Sequence, residues 1–162
     1  MKKKILGVAL LATMAVTASA NADTIRTYIT VGANTTTIGS QSGNGWDIGY
    51  GADRTWDNGV YAAFDMNYEQ AKVQSDTLQN FGMDIKLGYK WKDIAVYGIG
   101  SGVGESYLNA TGYGYGYGAG VEYTPHQWKH IGVGLDYKQY KITSELVDYD
   151  KDTAKVYLKI LF

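Results

Sequence analysis

Apolar and polar residues trade places at almost every step along most of this chain. Ile25, Thr27, Ile29, Val31 and Ala33 alternate with Arg26, Tyr28, Thr30, Gly32 and Asn34. The same period of two runs through 46–53, 60–69, 81–90, 95–103, 113–123, 131–138 and 153–162. Strict alternation over this length is the signature of a strand with one apolar and one polar face. The pattern predicts eight strands, each about the roughly 9 to 11 residues that a tilted strand needs to cross a bilayer. The intervening segments predict connections that alternate long and short: 35–44, 54–59, 70–80, 91–93, 104–112, 124–128 and 141–152. Asn58-Gly59 and Pro125 suit turns.

Period two does not say which face is inside. The polar parity carries Arg26, Asp47, Asp65, Glu69, Asp84, Lys86, Lys90, Glu122, Asp136, Lys138, Lys155 and Lys159, six acids and six bases. On a lipid face a mid-depth Lys or Arg costs about 2 to 4 kcal/mol. Inside a closed barrel, pairing offsets desolvation, and equal numbers allow neutralisation. Repeated glycines on the same parity leave room for these side chains, while the bulky rings suit a convex outer surface. On strand five the same logic assigns Ala95, Tyr97, Ile99, Ser101 and Val103 to the apolar, outward face. The expectation is an all-β, eight-stranded antiparallel up-and-down transmembrane β-barrel with charges in its lumen. Trp56, Trp91 and Trp128 fall one in each short connection, as a girdle at one membrane–water interface would.

The chain opens with Met1-Lys2-Lys3-Lys4, an apolar run to Val16 and an Ala20-Asn21-Ala22 site, the form of a secretory signal peptide. That divides the chain into a leader, 1–22, and a barrel, 23–162. No Cys is present, which excludes disulfides and lipid attachment through sulfur. Removing three leader lysines from 15 basic residues, against 16 acidic, leaves a net charge near −4 and argues against nucleic acid as a partner. Composition adds 21 Gly and 15 Tyr, ordinary for a membrane barrel whose strands are half polar.

The last segment, T-A-K-V-Y-L-K-I-L-F, ends on an apolar aromatic. With the strand count and the loop alternation, it resembles the closing strand of the small OmpA/OmpX-type outer-membrane barrels. The resemblance implies localisation in the bacterial outer membrane with both termini periplasmic. It also implies an insertion signal in Tyr157, Leu158, Ile160 and Phe162. Implied partners are outer-membrane lipids and lipopolysaccharide, the barrel-insertion machinery and periplasmic chaperones, with the chain a monomer. Peptidoglycan anchoring is not expected. Eight strands leave an interior that side chains can fill, so the expected role is structural and recognitive, through four external loops. The alternatives are a narrow porin-like channel, a barrel enzyme and a soluble periplasmic ligand-binding barrel. No cofactor or metal is expected. His126 and His130 flank one short turn without the Ser and acid of a triad. The acids Glu145, Asp148, Asp150 and Asp152 lack the spacing of a calcium loop.

Overall fold

In the computed structural model, residues 25–162 are described, apart from 109 and 129. The leader at 1–22 lies outside the described residues. Eight strands follow in chain order: β1 (Arg26–Ile38), β2 (Gln41–Thr55), β3 (Val60–Val73), β4 (Asp76–Trp91), β5 (Ile94–Tyr107), β6 (Ala110–Tyr123), β7 (Ile131–Ser144) and β8 (Tyr149–Leu161). Each pairs antiparallel with its neighbours, and β8 pairs with β1 to close the barrel. Closure runs from Tyr28 opposite Leu161 to Ile38 opposite Lys151, and the Phe162 N–H donates to the Thr27 carbonyl at 2.9 Å. A closed ladder leaves no unpaired edge.

Two expectations change. The strands have 13 to 16 residues, more than a bilayer crossing requires. The segments expected as long loops are mostly further ladder: β1 and β2 are joined by residues 39–40 alone, and β3 and β4 by 74–75. Hydrogen-bonded pairing continues where the apolar alternation fades, because a ribbon that has left hydrocarbon needs no apolar face. The alternation of long and short connections is therefore absent from the backbone. What alternates is the polarity of the strand ends.

Strand five is the second correction. Ala95, Tyr97, Ile99, Ser101 and Val103 point inward and are buried, while Val96 and the glycines between them point outward. The reason lies in β6, whose inward face is Gly114, Gly116, Gly118 and Gly120. A Cβ built on Gly120 would lie 2.5 Å from the Tyr97 ring, so the ring occupies that space. Bulk moves inside on β5 because it is missing inside on β6.

On the other strands the apolar parity is the outer one. Val31, Ile48, Leu87, Leu135 and Leu158 are exposed, and their neighbours of opposite parity are buried or, at Gly32 and Gly88, part-buried. Residues 25 and 162, together with Trp56, Trp91 and Trp128, lie at one end, called here the terminal end. The hairpin tips at 39–40, 74–75 and 145–148 lie at the far end.

Candidate functional site

The interior is a column of paired charges. Near the terminal end the Lys159 ammonium donates to Asp53 Oδ2 at 2.5 Å and to both oxygens of Glu122 at 3.0 and 2.9 Å. It also lies 3.9 Å from the centre of the Tyr28 ring. Arg26 reaches Asp53 from the rim, Nε to Oδ1 at 3.0 Å. At mid-height Lys86 pairs with Asp65 at 2.7 Å and Asp136 at 3.1 Å. The Tyr28 hydroxyl donates to Asp65, and Tyr97 donates to Asp136 at 2.7 Å and shares a 2.7 Å hydrogen bond with Tyr157. Lys155 pairs with Asp47 at 2.5 Å.

Higher up, Lys138 donates to Asp84 at 3.0 Å and Glu69 at 3.4 Å. Ser101 and Asn67 donate to Asp84 as well, and Asn80 to Glu69. Towards the far end, Lys151 and Tyr149 both bind Glu105. Such sharing is what makes burial tolerable, since every carboxylate of the column but Asp47, which has Lys155 alone, receives at least two donors in return for water.

Ten of the twelve charged residues singled out from the sequence are buried in this column. Arg26 and Lys90 are only part-buried, at the rim. Periodicity missed Glu105 and Lys151, which fall in segments expected as loops, and it gave no role to Asp53. Five rings are buried, Tyr28, Tyr61, Tyr97, Tyr140 and Tyr157: the alternation put Tyr28, Tyr61 and Tyr157 on the inward parity and Tyr97 outside, and it gave Tyr140 no face. A usable signal was present: each of these except Tyr61 has its ring against a glycine of a neighbouring strand, Gly51, Gly120, Gly116 and Gly134 in turn. A tyrosine fills that space and still brings a hydroxyl to a carboxylate.

Among the described residues the outer face carries no charge between the terminal-end turns and Lys72, Lys141, Asp150 and Asp152 towards the far end. Trp91 and Trp128 are exposed and Trp56 is half-buried, with the Arg54 guanidinium 4.8 Å above its ring. Of the four last-strand residues, Leu158, Ile160 and Phe162 are exposed, whereas Tyr157 is buried in the column. His126 lies in a short 3-10 turn. The His130 ring nitrogen Nδ1 is 3.2 Å from the Leu161 carbonyl. Neither histidine approaches the charge column. Among the described residues no group of three or more acids, histidines or cysteines is arranged to hold a metal ion.

A model of the outer membrane protein beta-barrel domain matches residues 6–162. The chain belongs to that family. It is thus an integral β-barrel of the bacterial outer membrane, and the uncharged outer band is its lipid-facing surface. Neisserial surface protein A is 12% identical, with 88% of this chain and 100% of that one covered and a TM-score of 0.63. Ail, the attachment invasion locus protein of Yersinia pestis, is 13% identical, covering 85% and 98%, with a TM-score of 0.58. The outer membrane enzyme PagL is 14% identical, covering 81% and 98%, with a TM-score of 0.52. At these identities the likeness is one of fold. No curated protein matches the sequence.

Proposed function

We propose that this outer-membrane barrel is plugged by its own charges and serves as a structural and recognition element of the cell surface. The observation that carries this reading is the column from Lys159 to Lys151, in which Lys138, Lys151 and Lys159 are at most 1% exposed. An ion crossing the barrel would have to break pairs shared by several partners, and water has no continuous hold on those groups. In the proposed orientation the terminal end is periplasmic, with the tryptophans at that interface. The far-end ribbons then stand outside, as the surface that meets other cells, host molecules or phage. Lipopolysaccharide surrounds them, and the last strand is the segment read by the insertion machinery.

The reading includes no catalysis. The two histidines sit at the terminal end, and one of them is committed to a backbone carbonyl. Reconstitution in planar bilayers tests the plug: the expected record is a flat baseline at moderate voltage. Sustained, ion-selective unitary openings would replace the plug with the narrow-channel reading.

A further inference from the structure

The reversal of β5 leaves a groove on the lipid-facing surface. Its floor is the outward backbone of Gly98, Gly100, Gly102 and Gly104, where a Cβ would meet nothing nearer than 3.9 Å. One wall is β4, with Leu87 opposite Gly98, Ile85 opposite Gly100, Met83 opposite Gly102 and Phe81 opposite Gly104. The other is β6, with Tyr117, Tyr115 and Tyr113 opposite Gly100, Gly102 and Gly104. These rings are 60 to 64% exposed. The open groove has a volume of about 700 Å³ and reaches from Phe64 to the backbone of Gly116 and Gly118.

We propose that this groove is a binding slot for one acyl chain of lipid A, the phosphorylated lipid that anchors lipopolysaccharide. Two strand spacings separate the walls, roughly 9.5 Å between backbones, so side chains from both walls leave room for one hydrocarbon chain. From Gly98 to Gly104 the floor runs roughly 20 Å along the strand. At a tilt of roughly 35 to 45° that is about 15 Å of depth, half of a hydrocarbon core roughly 30 Å thick. The slot thus serves a single leaflet, the one at the far end.

Charge agrees with this occupant. The outward-facing lysines of the far half, Lys72 on β3 and Lys141 on β7, stand two strands to either side of β5, above the uncharged band. Lys141 is opposite Tyr115 on β6 and Asp150 on β8. They flank the mouth of the slot at the level where phosphates would sit. A second copy of the barrel fits less well. Strands of two upright copies cross at roughly twice their tilt, so a ridge of one lies across the groove of the other instead of along it.

Assignment to the outer leaflet rests on the orientation proposed above, which surface accessibility of residues 145–148 tests separately. The slot itself is tested by native mass spectrometry of the barrel released from micelles containing purified lipid A. Parallel samples contain dephosphorylated lipid A or phosphatidylglycerol. Wild type is expected to retain one lipid A. The Gly100→Leu/Gly102→Leu variant, whose new side chains enter open space, should retain at least tenfold less. It should keep the gel shift on boiling that marks a folded barrel; if it does not, Gly102→Val alone takes its place. Lys72→Gln/Lys141→Gln should lose the preference for the phosphorylated form.

Equal retention by wild type and the filled variant overturns the slot. So does a preference for phosphatidylglycerol, or a dimer of the chain that disappears on filling.

Discussion

Lys159 shows how one residue carries several loads. Its ammonium bridges Asp53 and Glu122, which lie on β2 and β6, and it rests against the Tyr28 ring. Replacing it with Met keeps the volume of the stem but leaves two buried carboxylates short of a donor. Removing one partner of a buried ion pair costs about 3 to 5 kcal/mol. Lys159→Met should lower the unfolding free energy by that amount, read from urea titration of tryptophan fluorescence in lipid vesicles. Adding Glu122→Gln should recover part of the loss. A change below about 1 kcal/mol would mean that water already solvates the pair. Residues of this kind were legible in the sequence because a charge at an apolar-alternating position has only the interior to go to. Glu105 and Lys151 were not, since they lie where the outer face has already turned polar.

At the scale of the strand, β5 and β6 form a complementary pair. One is glycine outside and bulky inside, and the other is the reverse. Hydrophobicity alone misassigned β5, because Tyr97 and Ile99 look like membrane-facing residues in isolation. Volume decides: four inward glycines on β6 demand filling from next door, and hydroxyl contacts with Asp136 and Tyr157 reward a tyrosine. The two glycine sets should therefore respond differently to one added methyl. A Cβ on Gly120 would sit among the Tyr97 ring and Asp136, so Gly120→Ala should destabilise by about 1 to 3 kcal/mol, the usual cost of overpacking. Gly100→Ala meets open space and should be neutral or slightly stabilising. Parallel urea titrations check both, and equal effects would contradict the assignment of faces.

Over the whole molecule, strand number, closure and the inside-out sense of seven strands could be read from period two. The height of the barrel could not. Hydropathy reports where lipid ends, whereas the ladder ends only where a turn interrupts it, as at Gly39 with its positive φ of 61°. The far-end ribbons thus remain ordered beyond the membrane, and their tips should accept insertions without loss of the fold. A short epitope placed within 145–148, where Leu146 and Val147 are strongly exposed, should be reached by antibody on intact cells. An epitope placed at Asp57-Asn58 should be reached only after the outer membrane is permeabilised. The opposite result would invert the orientation.

The three lysines Lys151, Lys155 and Lys159 all lie on β8, and their carboxylates Glu105, Asp47, Asp53 and Glu122 lie on β2, β5 and β6. Without the eighth strand, the inward faces of the other seven would carry a surplus of negative charge. Pairing of β8 with β1 and β7 therefore does two jobs: it seals the wall and supplies the counter-ions that allow the inside to dry.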